Sequence, residues 1–266
     1  MKKGDEVSEE RSYFQSDVVE DHIFVITIDR PEARNAFNGV MARQLETLID
    51  RFDDDPALWV AIIKGNGPTF SAGQDLKAAR TGDMGAAKKR GGFGIMGMPP
   101  KKPIIAAIDG QALAGGMELT LSCDLIVATE NSVFGLAEAK RGLLAVGGGC
   151  FRLPQRVPYH VAMEMILTGE TKTARDMYAH GLVNKVVPTG KALDGALDLA
   201  RIIARNSPVA VRAAKEIAFR SAAEQWTDAD GWKKQQEPSR AVMQSEDLQE
   251  GLRAFAEKRD PVWKGR

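Results

Sequence analysis

Ala106-Ala107-Ile108-Asp109-Gly110-Gln111-Ala112-Leu113-Ala114-Gly115-Gly116-Met117-Glu118-Leu119 (106–119) is the stretch on which the reading of the chain turns. The apolar run Ile104 to Ile108 predicts a strand entering the core, a turn of small residues follows, and Gly116 through Cys123 predicts a helix. Glycines at such a junction let a ligand approach the backbone and leave amide N–H groups free. A helix start has unpaired donors and a partial positive charge, which suits an anion. Glu118 falls in the first helical turn among apolar neighbours. Two readings stand side by side: a carboxylate favoured by the helix dipole, or an acid/base group beside an oxyanion site.

Working outward, strands and helices alternate. Ile23 to Ile28 alternates and is β-branched, a strand closed by Arg30-Pro31. Asn38 is placed to cap a helix running through Phe52, with Val40, Met41, Leu45, Leu48, Ile49 and Phe52 on its apolar face. Further strands are expected at Trp59–Ile63, Leu125–Ala128 and Leu182–Val187, and Phe134 to Glu138 reads as a short edge segment. Thr173 and Asp176 have the spacing of a capping box ahead of another helix. Residues 81–103 are rich in glycine, methionine and basic groups (Lys88, Lys89, Arg90, Lys101, Lys102) and read as a mobile loop or short helix over a site, or as a solvated linker. After Gly190 the pattern is helical almost to the end, with Ser245 capping the last helix. The class is α/β, because the connections are too long for hairpins.

Composition narrows the function. The chain has 266 residues, 44% of them hydrophobic, with four Trp and ten Phe, which is enough for a sizeable core. Lys plus Arg and Asp plus Glu each number 36, so bulk charge does not hold a nucleic acid, although a local basic patch is compatible with this balance. Cys123 and Cys150 have no metal-ligand spacing and read as buried free thiols in a reducing compartment. His22, His160 and His180 are scattered and form no metal or nucleophile signature. The charged N-terminus is not a secretory signal and no run reaches the ~18 apolar residues of a membrane span. A cytoplasmic protein is expected.

Two turns look related: Ala72-Gly73-Gln74 after the Trp59–Ile63 strand and Ala114-Gly115-Gly116 after the Ile104–Ile108 strand. If those strands are neighbours, two backbone N–H groups converge on one oxygen, the arrangement that stabilises a carbonyl turning negative. Glu118 and Glu138 then flank one pocket, able to share a water between them.

The segments RPEARNAFN (30–38), FSAGQDLK (70–77), AAIDGQALAGGMEL (106–119), FGLAEAKRGL (134–143), LTGETKTARDMYAHGLVNKVV (167–187) and FAEKRDP (255–261) together resemble the enoyl-CoA hydratase, or crotonase, family. Their order and spacing match it over nearly the whole chain after about residue 17. The resemblance implies a crotonase-like spiral of ββα units over residues 17–200, a C-terminal helical trimerisation region over 201–266, and a flexible extension over 1–16. It implies oxyanion-hole amides at Gln74 and Gly115, and catalytic glutamates at Glu118 and Glu138. The coenzyme A moiety would run along Arg34, Ala36, Ala72, Asp75 and Leu76, with Phe255 and Lys258 near the nucleotide end, often from an adjacent subunit. The implied partners are an acyl-CoA thioester substrate and further copies of the chain, as a homotrimer or dimer of trimers, with no nucleic acid and no membrane. No metal or separate cofactor is implied, since coenzyme A is part of the substrate.

The implied reaction is reversible addition of water to a 2-enoyl-CoA, with Glu138 as the α-carbon acid and Glu118 as the water base. The sequence departs from the family pattern at Ala137, where many hydratases have proline, and at Leu144-Ala145-Val146, which lacks the proline common before the glycine pair. Ala114 replaces a frequent glycine. Residues 138–165 also resemble the carnitinyl-CoA dehydratase-like branch. The alternatives are that dehydration, an enoyl-CoA isomerisation, or a non-catalytic CoA- or RNA-binding relative.

Overall fold

Side-chain alternation along the strands sorts the core into two compartments. The computed structural model describes residues 11–266; the expected extension over 1–16 thus lies largely outside the described residues. Its strands are β1 (Phe14–Val19), β2 (Ile23–Ile28), β3 (Val60–Gly65), β4 (Thr69–Ser71), β5 (Ala86–Ala87), β6 (Gly91–Gly92), β7 (Ile104–Ile108), β8 (Gln111–Leu113), β9 (Leu125–Thr129), β10 (Val133–Gly135), β11 (Lys172–Thr173) and β12 (Lys185–Val187). A six-stranded sheet runs β1-β2-β3-β7-β9-β12 and a four-stranded sheet runs β11-β10-β8-β4. Phe24, Ile26 and Ile28 of β2, Ala61 and Ile63 of β3, and Ile104, Ala106 and Ile108 of β7 face the larger core, which also holds Phe70, Ala112 and Phe134 of the smaller sheet. Ile23, Val25, Val60, Ile62, Ile105 and Ala107 face the other way. Both faces are therefore covered, and these strands read as continuous apolar runs.

The helices are α1 (Gly39–Asp54), α2 (Leu76–Ala79), α3 (Gly115–Thr120), α4 (Gly149–Arg156), α5 (Tyr159–Thr168), α6 (Ala174–Ala179), α7 (Ala192–Ala204), α8 (Pro208–Ala223), α9 (Asp228–Lys234), α10 (Gln236–Met243) and α11 (Glu246–Glu257). Asn38 caps α1 by accepting from Met41 N at 3.0 Å, Thr173 and Asp176 form the capping box of α6, and Ser245 caps α11. A strand of the large sheet, a strand of the small sheet and a helix recur as β3-β4-α2 and β7-β8-α3. This is the spiral of ββα units that the family resemblance implies.

Several expectations need correction. Phe14, Gln15 and Ser16 fall inside the span expected to be a flexible extension, yet they belong to β1, which pairs along its whole length with β2. An edge strand needs only one ladder and an alternate buried residue, so FQSDVV shows little apolar pattern. The segment at Phe134 is not at an edge: β10 lies between β8 and β11. The boundary between 200 and 201 falls inside α7, whose Ala192, Ala196 and Ala200 pack on the large sheet. The helical region thus separates from the core only after α7.

Residues 81–103 form no helix of four or more residues. They are fastened to α1 by Arg90, 3% exposed, which pairs with Asp50 and Asp53 at 2.7 Å each. Lys102 is buried too, donating to the carbonyls of Phe52 and Asp55 where α1 ends. The C-terminal helices are tied to the core through Lys215 of α8, which bridges Asp124 and the Lys102 carbonyl.

Candidate active site

The ends of β4 and β8 bring the two glycine turns together. These short strands pair in parallel, Ser71 opposite Ala112; it is they, rather than the longer strands preceding them, that deliver the turns. Gly73 has φ +93°, and a Cβ placed on it would lie 2.7 Å from Gly115 N, so a side chain here would sit on the neighbouring donor. Phe37 N donates to Gly73 O and Asp75 N donates to Phe37 O. In that parallel bridge the Gln74 N–H points away from Phe37. Among the described residues, neither the Gln74 nor the Gly115 N–H has a protein acceptor.

Buried Asn35 fixes the first turn. Its amide donates to Asn66 O and Thr69 O, and its side-chain oxygen accepts from Arg30 N. Ser71 Oγ donates to Asn35 O and accepts from Gly73 N. Neither residue is marked out by the sequence around it. Positive φ is common for asparagine, and here it takes φ +54°, but nothing local announces that role.

Glu118 leaves the first turn of α3 and is only 5% exposed. Its Oε1 accepts from Gly149 N at 2.9 Å. Burial raises its pKa, opposed by the backbone amides of Gly149 and Gly147 and by the charge of Arg152. Glu138 opens a 3₁₀ turn over Glu138–Arg141, just beyond β10. Leu113 is opposite Gly135, and Ala114 N donates to Gly135 O, so Glu138 emerges beside the Ala114–Gly115 turn. Burial, with the Glu118 charge adding to it, pushes the Glu138 pKa up to about 7. Its Oε2 is buried and, among the described residues, has no hydrogen-bond partner. Such an orphaned acceptor is costly in a folded protein. A partner arriving with substrate or water would relieve it.

The segment 81–103 covers this end of the site. Phe93 stacks on Phe37 with ring centroids 4.2 Å apart and lies against Gly115. Met96 packs against Gly147, whose own Cβ would lie 2.7 Å from Glu118 Oε2. Cys150, expected to be buried, is half-buried, and the charges of both glutamates reach its thiol.

Arg34, Ala36, Ala72, Asp75 and Leu76 fall in one neighbourhood. Ala72 N donates to Arg34 O, and Arg30 Nη1 donates to Ala36 O while pairing with Asp75 at 2.8 Å. The Asp75 carboxylate also caps α2, accepting from Lys77 N and Ala78 N, so it is already engaged. Arg34 is exposed and Leu76 is 48% exposed. Phe255 and Lys258 are placed elsewhere, on α11 and at its C-cap, with Phe255 87% exposed.

Two amides from adjacent turns, with one buried and one half-buried carboxylate, suit a reaction that passes through an oxyanion next to a carbon gaining or losing a proton. Set at the end of a ββα spiral, this is the crotonase architecture. Residues 19–266 match the family described as enoyl-CoA hydratase/isomerase. The chain is 42% identical to a carnitinyl-CoA dehydratase of Salmonella enteritidis PT4, over 92% of this chain and 95% of that one. The crystal structure of enoyl-CoA hydratase from Mycobacterium tuberculosis H37Rv superposes with a TM-score of 0.91 at 44% identity, covering 96% and 99% of the two chains. The carnitinyl-CoA hydratase of Mycobacterium avium gives 0.76 at 40% identity, covering 97% and 100%. The chain belongs to the enoyl-CoA hydratase/isomerase family and is an enzyme of it.

Proposed function

We propose that this enzyme is an enoyl-CoA hydratase, adding water reversibly and syn to a 2-enoyl-CoA to give the 3-hydroxyacyl-CoA. The observation that carries the reading is the pair Glu118, buried, and Glu138, half-buried with its Oε2 unpartnered among the described residues, beside the paired Gln74 and Gly115 amides. Glu118 accepts a proton from water as the water oxygen bonds to the β carbon. The π electrons move toward the thioester, and its oxygen, now negative, is held by the two N–H groups. Glu138 delivers its proton to the α carbon, and the enolate collapses to the thioester. One proton has moved onto Glu118 and one has left Glu138, so the pair is reset by a single transfer between them.

Arg34, Ala36, Ala72, Asp75 and Leu76 would bind the coenzyme A moiety largely through backbone. Phe255 and Lys258 would reach the nucleotide of an adjacent copy in a trimer or dimer of trimers, where a cation meets phosphate. No described helix is long and apolar enough to cross a membrane. Likeness to carnitinyl-CoA dehydratases makes dehydration of such a thioester the second reading. A panel of enoyl-CoA esters, short, long, branched and carnitinyl, followed by loss of the conjugated thioester absorbance, tests both. Glu118→Gln and Glu138→Gln should each lower turnover by about 10²-fold or more while ester binding persists. Near-wild-type turnover in both variants would sink the mechanism.

A further inference from the structure

Arg152 on α4 ties together three segments that pack around Glu118. Its Nη2 donates to Met96 O at 2.6 Å, and its Nη1 donates to Ser122 Oγ at 2.9 Å and to Gly147 O at 3.4 Å. Met96 belongs to the covering segment, Gly147 to the loop against the Glu118 carboxylate, and Ser122 to the turn after α3. Ser122 Oγ in turn donates to the carbonyl of Glu118 itself at 2.9 Å. A planar fork with several donors can hold diverging acceptors in one plane, which a lysine ammonium cannot do with the same geometry.

We propose that Arg152 is a positioning residue for hydration: it holds the loop at Gly147 and the covering segment at Met96 around Glu118, and sets its cation nearer that glutamate than its partner. The two carboxylates are thereby made unequal. Glu118 is favoured as the ionised member that takes the water proton, and Glu138 keeps the shared proton. The other titratable groups facing Glu118 are Glu138 and Cys150, and the Glu118 charge raises the pKa of both. Arg152 itself faces Arg156, Glu118 and Cys123. Among the described residues no other cation reaches Glu118.

The inference rests on the hydratase reading and is tested in the intact enzyme with Arg152→Lys and Arg152→Gln. Arg152→Lys keeps the charge but not the fork. It should lower kcat about 10- to 100-fold with little change in KM, and leave the acidic limb of the pH–rate profile in place. Arg152→Gln should move that limb to higher pH, and carboxyl-labelled NMR should show Glu118 titrating correspondingly higher. Wild-type kcat in Arg152→Lys, or an unmoved limb in folded Arg152→Gln, overturns the proposal. Should Arg152→Gln fail to fold, the kcat of Arg152→Lys decides alone. Glu118→Gln is the control: if it stays active the hydratase reading falls, whereas an inactive control with unperturbed Arg152 variants removes only this inference.

Discussion

The charge state of the glutamate pair makes a quantitative demand on the pH profile. On the proposed mechanism, hydration needs the shared proton on Glu138 and dehydration needs it on Glu118, so the singly protonated pair is reactive in both directions. Because the overall reaction neither takes up nor releases a proton, kcat/KM must follow the same profile forward and back. Both folded pKa values lie above the ordinary 4.5 of a glutamic acid, Glu138 at about 7, because burial favours the neutral form. The reactive form is thus confined between an acidic limb above 4.5 and a basic limb at about 7. Each pH unit above the basic limb should cost about tenfold in kcat/KM, or about 100-fold two units above it.

The assay is initial hydration rate at low enoyl-CoA concentration across the range, with circular dichroism at each pH. A kcat/KM that stays flat to two units above the limb, with the fold intact, would refute the reasoning. The sign for stability is related: a carboxyl whose folded pKa is raised contributes most below its unfolded value, and that contribution is lost as pH rises from 4.5 through about 7.

Other perturbations have separable outcomes. Gly73→Ala places a methyl group on the Gly115 donor; kcat should fall about 10²- to 10³-fold, and a melt should show a loss of about 1–3 kcal/mol. Ala114 sits at φ 51°, ψ −125°, where a Cβ is strained, so Ala114→Gly should raise stability by about 1 kcal/mol, a Tm gain of about 2–4 °C by calorimetry. Phe255→Ala together with Lys258→Ala should raise KM for coenzyme A esters severalfold with kcat retained, and mixing these subunits with Gln74-turn variants should restore binding at some sites if α11 serves a neighbouring copy.

What could be read from the chain depended on whether a residue's role is local. Asn38, Thr173 and Ser245 cap helices whose partners lie three residues away, and the apolar periodicity of α1 and of the large-sheet strands follows directly from burial. The glycine turns and both glutamates were visible as pairs, although their convergence depends on β4, β8 and β10, each only three residues long and too short to show a period. Arg152 and Asn35 are hidden because most of their partners are 30 or more residues distant in sequence. Helix α4 was masked by the glycines before it and by Pro154 within it. The basic residues of 81–103 looked solvated; Arg90 and Lys102 are buried because acceptors from α1 happen to close around them.

The small sheet has one more consequence. Ser71, Ala112 and Phe134 lie side by side on β4, β8 and β10, and Gln74, Gly115 and Glu138 each follow within a few residues of those strands. Adjacent strands are about 4.8 Å apart, so on the proposed mechanism the sheet acts as a ruler laid across the substrate, with two graduations bracketing one oxygen and the third reaching the carbon beyond. The graduations are set by backbone ladders rather than by side chains. Apolar residues along these strands can therefore drift, and the acyl pocket with them, while the spacing between oxyanion and proton donor stays the same.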